Sequence, residues 1–184
     1  EVLKVNFVDV QQGDGSVIES PDGKVILVDG GDNQMFARYL AARYRGTSIA
    51  KPQDIECILV THGDADHFAG LPKILESEGN KEPRKRLFIR PKRVYHNGIV
   101  KRPGKRDGKT VPEAESLGPT RKVDGETYLV GLEEDLLAVP DKEMNAPFKT
   151  WKDTLAVYHK RNKLQFRRLQ FGDKLDVFVT AAGQ

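Results

Sequence analysis

The 184 residues comprise 38% hydrophobic and 31% charged side chains with 17 Gly and 10 Pro, a composition that suits one soluble globular domain with a substantial core. No apolar run approaches the roughly 20 residues a membrane span needs, no signal-peptide pattern opens the chain, and the single Cys57 excludes an internal disulfide framework and suits a reducing, cytoplasmic setting. The net charge of +3 conceals an asymmetry, because residues 81–109 hold twelve Lys and Arg against Glu82 and Asp107 while the rest of the chain is acidic.

The first sixty residues carry clear periodicity. Leu3, Val5 and Phe7 alternate with Lys4 and Asn6, the period of a half-buried strand. Gln11-Gln12-Gly13-Asp14-Gly15 is a turn into a second strand, Ser16–Glu19, and Pro21-Asp22-Gly23 supplies the next reversal. Lys24–Val28 is nearly continuous in apolar residues, which predicts a strand buried on both faces. After Asp29-Gly30-Gly31, Asn33 is placed to cap a helix carrying Phe36, Tyr39, Leu40 and Arg43, closed by Gly46. Ile55–Val60 reads as a fourth strand, with Cys57 a small core residue that has no neighbouring base to activate it. Leu71, Ile74, Leu75 and Glu78 recur at helical spacing between Pro72 and Gly79.

Beyond residue 80 the periodicity fades. Leu87–Val100 contains strand-like stretches among prolines and arginines, and residues 101–125 hold seven Gly or Pro, the pattern of a loop or insertion. Residues 126–139 and 151–160 show short apolar groups of undecided type. Leu164, Phe166, Leu169 and Phe171, then Gly172-Asp173 and Leu175–Val179, predict a terminal hairpin. Trp151, Tyr158 and Phe166 read as core or loop anchors rather than base-stacking platforms. The basic block admits two readings: a solvated, partly flexible insertion, or a patch that attracts phosphate backbones through Arg102, Lys105 and Arg106.

Chemistry concentrates in Thr61-His62-Gly63-Asp64-Ala65-Asp66-His67-Phe68-Ala69-Gly70, directly after the fourth strand. Two imidazoles and two carboxylates within six residues repel or strand one another unless a cation gathers them, and small Gly63 and Ala65 let the backbone curl around an ion. Helix capping alone explains Asp66 but not the two histidines. An EF-hand is excluded, since Phe68 falls where that loop needs an oxygen ligand. Gly13-Asp14-Gly15 and Gly108-Lys109-Thr110 each lack the further glycine of a nucleotide-binding loop.

The His-x-Asp-x-Asp-His string resembles the metal motif of the metallo-β-lactamase superfamily, where the usual form is His-x-His-x-Asp-His and Asp64 here takes the place of the second His. With Phe7–Asp14 and Ile26–Gly31 it is similar to the C-terminal domain of the DNA-uptake competence protein ComEC and its soluble relatives, over about residues 3–75 and again, weakly, at Arg93–Gly98 and Phe171–Leu175. The resemblance implies an αββα sandwich, class α/β (α+β), with residues 1–184 its N-terminal portion, incomplete at the C-terminus and carrying a basic insertion at about 81–125. It implies one or two divalent metal ions, zinc or manganese foremost and iron also compatible. His62 and Asp64 would serve the first, and Asp66 and His67 the second. Asp66 is the residue on which catalysis is expected to depend, and Asp29 would support the ligands from behind. Asp14 matches a further acid of the motif or is simply a turn residue. The family's later ligands, an Asp and a His, have no counterpart here: His96 and His159 sit in no matching motif, and the chain, which begins at Glu1 without Met, is expected to be cropped or processed.

Two functions follow as expectations. The first is a metal-dependent hydrolase, most plausibly a phosphodiesterase or nuclease linked to competence, that activates water. The second is a metal-poor binding module whose basic segment contacts nucleic acid or an acidic partner.

Overall fold

Local sequence and sheet position agree over the first third of the chain. The computed structural model of the protein describes residues 2–106, 108–110 and 116–175. Strands β1 (Lys4–Phe7), β2 (Gly15–Glu19) and β3 (Val25–Asp29) form an antiparallel meander. Helix α1 (Met35–Arg43) follows, and it buries Phe36, Ala37, Leu40 and Ala41. Asn33 lies just ahead of the helix, and its Oδ1 accepts the Met35 N–H at 2.8 Å.

The strand expected at Ile55–Val60 breaks in two at Glu56. Strand β4 (Gln53–Ile55) pairs outside the main sheet, whereas β5 (Cys57–Leu59) runs parallel to β3. Glu56 is buried at the break, and its carboxylate takes Lys92 at 2.6 Å and Arg93 at 2.9 Å. A buried charge paired in this way costs far less than a lone one. Short helix α2 (Ala65–Phe68) and helix α3 (Pro72–Ser77) come next. Strand β6 (Ile89–Pro91) pairs with β4, and β7 (Arg93–His96) pairs parallel with β5.

The basic stretch expected as an insertion is therefore divided. Residues 89–96 belong to the body of the protein, and β7 is an interior strand of the large sheet. The segment beyond Val100 carries two small antiparallel pairs outside that sheet: β8 (Lys105–Arg106) with β9 (Lys109–Thr110), and β10 (Thr120–Val123) with β11 (Glu126–Leu129).

Helix α4 (Ala146–Asn162) occupies the region whose type the sequence left undecided. Asn145 caps it by accepting the Phe148 N–H, Pro147 sits in its first turn, and Lys163 ends it in a left-handed conformation at φ 50°. Its buried Phe148, Trp151, Leu155 and Tyr158 recur at helical spacing. Each such side chain contributes about 1.5–3 kcal/mol when fully buried. Strand β12 (Gln165–Arg168) then pairs parallel with β7. Of the expected terminal hairpin, the first strand joins the large sheet beside β7 because α4 returns the chain in the parallel sense, and the second strand lies outside the described residues apart from Leu175.

The main sheet has the order β1-β2-β3-β5-β7-β12. One face packs Val17, Val25, Leu27, Ile58 and Val94 against α1, α3 and α4. The other gathers Ile26, Cys57 and Tyr95, with Ile18, Val28, Leu59, Leu169 and Leu175 against them. Strand β1 departs from expectation, because Val5 is 47% and Phe7 86% exposed. As the edge strand it has a neighbour on one side only, and no described element lies over its apolar side chains. The fold is mixed α/β, as the sequence indicates, and consistent with a metallo-β-lactamase-like fold. No helix among the described residues is long and apolar enough to cross a membrane.

Candidate metal centre

Because β3, β5 and β7 run parallel and β2 runs against them, the residues after three strands and before a fourth meet at one end of the sheet. In open parallel sheets that end is where ligands bind. Here it gathers Asp14, Asp29, the loop 61–70 and Asn97. Backbone bonds weld these loops together: Gly30 N–H donates to His67 O at 2.6 Å, Gly31 to Asp14 O at 2.8 Å and Gly70 to Gly31 O at 2.8 Å. Two glycines permit the approach. A Cβ on Gly13, whose φ is +80°, would lie 1.6 Å from Asp66 O, and one on Gly70 would lie 2.1 Å from Gly30 O.

Asp29 organises the centre from beneath. It is 2% exposed and left-handed at φ 55°, a conformation Asp tolerates better than most residues. Its carboxylate accepts the Thr61 N–H at 2.8 Å and the Thr61 hydroxyl at 2.6 Å. His67 Nδ1 lies 3.1 Å from the same group. An ionised carboxylate only accepts, so Nδ1 carries the proton and Nε2 turns its lone pair outward. Asn97 steadies the loop by donating to Thr61 O at 3.3 Å while its Oδ1 accepts the Ile99 N–H. Phe148 of α4 packs against Phe68 with the rings tilted at 42°, 4.5 Å between their centres, and supports the loop from the core side.

The four motif side chains gather above Asp29. The His62 and His67 rings are 3.7 Å apart at their centres. His62 Nε2 faces Asp64 Oδ2 at 3.9 Å, and His67 Nε2 faces Asp66 Oδ1 at 4.0 Å. Asp14 also reaches His67, at 3.6 Å from Nδ1. Each imidazole thus faces one carboxylate, donors of the kinds that bind divalent ions but fewer than the three or four protein ligands such an ion usually takes. Among the described residues no group of three His, Cys, Asp or Glu side chains is arranged to hold one ion. The arrangement is two half-sites rather than a closed cage.

Lys101 also enters the centre. Its ammonium sits 2.6 Å from Asp64 Oδ1, on the oxygen away from His62, and holds the Asp64 carboxyl below the usual carboxylate range. Nothing in the sequence marks it among twelve basic residues, since its role depends on where the chain re-crosses the sheet end. Thr61 opens the motif string and Asn97 lies in the Arg93–Gly98 stretch, but the sequence assigns neither a role.

The remaining candidates lie elsewhere. Arg102 is 8% exposed, and its guanidinium is clamped by Glu143 at 2.6 Å and Glu133 at 3.2 Å. Its charge is neutralised inside the protein. Lys105 is exposed on the β8–β9 hairpin with Arg106 beside it in the strand. Arg90 pairs with Asp54 and Lys92 with Glu56, so much of the basic block meets acids contributed by the rest of the chain. His96 is buried beneath the 131–135 segment, accepting the Gly98 N–H and facing Glu134 O. His159 faces Leu164 O, far along α4. Cys57 is wholly buried, and burial pushes its thiol up to about 12, in keeping with a core role.

A family model described as the metallo-beta-lactamase superfamily matches residues 8–141. The chain belongs to the metallo-beta-lactamase superfamily. No curated protein and no solved structure matches it. The matched span runs from the turn before Asp14 through the whole of the loop 61–70 and on past Arg102. Superfamily members are usually hydrolases and typically bind divalent metals such as zinc, and the match does not single out ComEC or any other member.

Proposed function

We propose that this superfamily domain is a metal-dependent hydrolase of phosphodiesters. The observation that carries the reading is the orientation of His67: Asp29 holds its Nδ1 proton, so Nε2 and Asp66 face one another at the mouth of the sheet end. The chemistry that these two residues would gain from a bound divalent ion is a water acidified toward neutrality and a polarised phosphoryl oxygen. The carboxylate share of the donor set favours manganese or iron alongside zinc. Asp66 and His67 would hold the ion, Asp29 fixes the orientation of His67 with Thr61 bonded to the same carboxylate, and Asp66 is the residue whose loss would remove both metal and activity. Substrate phosphate contact falls to the β8–β9 hairpin, through Lys105 and Arg106, because the charge of Arg102 is already matched by two glutamates.

The test is hydrolysis of bis(p-nitrophenyl) phosphate and of single-stranded and duplex DNA, with manganese, zinc or EDTA. Metal-dependent turnover that Asp66→Ala abolishes supports the reading, and no turnover with any metal or substrate refutes it. One observation favours the other reading, a binding module that contacts nucleic acid or an acidic partner: no three donors converge among the described residues. Binding of DNA without turnover, unaffected by EDTA, selects it.

A further inference from the structure

We propose that the free edge of β1 is a dimerisation surface, on which a second copy of the chain lays its own β1 antiparallel, about a two-fold axis at Val5. Strand β1 ends the order of the large sheet and has β2 on one side only. Val8, just past it, donates its N–H to Gly15 O at 2.9 Å. Bonded and unbonded positions alternate along an antiparallel pair, so Asn6 and Lys4 also turn their backbone groups toward β2. Val5 and Phe7, and Leu3 before them, turn theirs outward. Each offers an N–H and a C=O, in the plane of the sheet, to an incoming strand.

The same three residues carry exposed apolar side chains. Leu3 is 52%, Val5 47% and Phe7 86% exposed, and the alternation of a strand sets all three on one face. Val5 continues a row that runs through Ile18 of β2 to the buried Ile26 of β3. Strand β1 has neither proline nor bulge to discourage pairing, and Lys4, its one charge, lies on the other face.

What selects a second copy is the fit of β1 to itself. With Val5 opposite Val5 of the partner subunit, Leu3 stands opposite Phe7 of the partner subunit and Phe7 opposite the partner's Leu3. The apolar row is then paired along its length, and the outward N–H and C=O groups bond across the axis. Lys4 meets the partner's Asn6, so no like charges oppose one another. Centred on Phe7, the pairing would set Val5 against an acid, the partner's Asp9. Centred on Leu3, it would carry Phe7 clear of the partner strand. Two-fold pairing of a strand with itself closes the assembly at a dimer. One strand edge makes a small interface, so a dissociation constant of about 10–100 µM is expected. The loop 61–70 takes no part, so the dimer is independent of the metal reading.

Sedimentation equilibrium of the chain in EDTA, from about 5 to about 500 µM, measures the association. Wild type is expected to pass from monomer to dimer over that range. Val5→Lys sets two ammonium groups face to face at the axis and is expected to weaken association about tenfold or more, and Val5→Glu likewise. An equimolar mixture of the two variants sets Lys against Glu and is expected to recover dimers, which misfolded chains would not do. A wild-type chain that stays monomeric throughout overturns the proposal and leaves the edge to a strand of another protein. A dimer that Val5→Lys leaves intact, or a mixture that stays monomeric, overturns it as well.

Discussion

Asp29 and His67 lie 38 positions apart, yet the buried carboxylate of one meets Nδ1 of the other at 3.1 Å. The same carboxylate anchors Thr61, so one side chain at the end of β3 sets both the start of the motif loop and the aim of its last ligand. Asp29→Asn replaces an acceptor-only group with an amide that cannot satisfy all three donors. Charge-assisted bonds of this kind are worth about 1.5–3 kcal/mol each, and the variant is expected to lose about 2–4 kcal/mol in urea denaturation. Metal affinity is expected to fall about 10- to 100-fold, as for other residues that orient a ligating imidazole. Unchanged affinity would show that Nε2 of His67 needs no such orientation.

Asp66→Ala separates function from folding. The Asp66 side chain is 33% exposed and faces His67 Nε2, so its removal takes away a ligand without opening a cavity in the core. Stability should stay within about 0.5 kcal/mol of wild type, the usual range for surface changes. Phosphodiester turnover should drop about a hundredfold or more with excess manganese and zinc present. Wild-type turnover in the variant contradicts the assignment.

Arg102 and the hairpin beyond it should respond differently to mutation. Arg102→Ala removes a buried guanidinium and its packing but leaves Glu133 and Glu143, 30% and 46% exposed, open to water, and a loss of about 1–2 kcal/mol is expected. Lys105 is exposed, so its replacement by Ser should leave thermal stability within the range of surface changes, and a double variant adds Arg106→Ser. If the domain binds duplex DNA, the double variant should flatten the log–log salt dependence by about 0.9 per phosphate contact removed. An unaltered slope removes these residues from the nucleic-acid surface.

His96 gives stability a pH dependence. Burial lowers its pKa from 6.5, and the Gly98 N–H occupies Nδ1, so the folded protein favours the neutral ring. Below about pH 6.5 the unfolded chain takes up a proton that the folded one resists, and stability falls with pH until the lowered value is passed. Above 6.5 the contribution is present in full. Charged neighbours Glu134, Asp135 and Arg168 face the same ring, two favouring its protonation and one opposing it. In His96→Gln the slope of urea-denaturation free energy between pH 6.5 and 5 should flatten; a slope equal to wild type contradicts this account.

Much of the centre was legible because its residues are adjacent in sequence. His62, Asp64, Asp66 and His67 fall within six positions, and a loop leaving a buried strand keeps such neighbours together in space. Asp29 was legible through the family's motif. Lys101 and Asn97 were not, because they reach the site by parallel pairing of β7 with β5, a long-range contact without local signature. Helix α4 did carry a signal, in Asn145, Pro147 and the spacing of Phe148, Trp151, Leu155 and Tyr158, but the intervening Lys, Asp and Thr side chains dilute it. The break at Glu56 was hidden because the apolar run continues across a residue whose charge is matched only by Lys92 and Arg93, far along the chain.

The central claim is that the loop 61–70 holds a divalent ion at Asp66 and His67. Crystals grown with manganese or zinc, with diffraction recorded on either side of the metal's absorption edge, locate that ion directly. The account predicts one strong anomalous peak about 2.0–2.2 Å from His67 Nε2 and an Asp66 oxygen. A featureless map at the cluster, with metal in the crystal at saturating concentration, contradicts it.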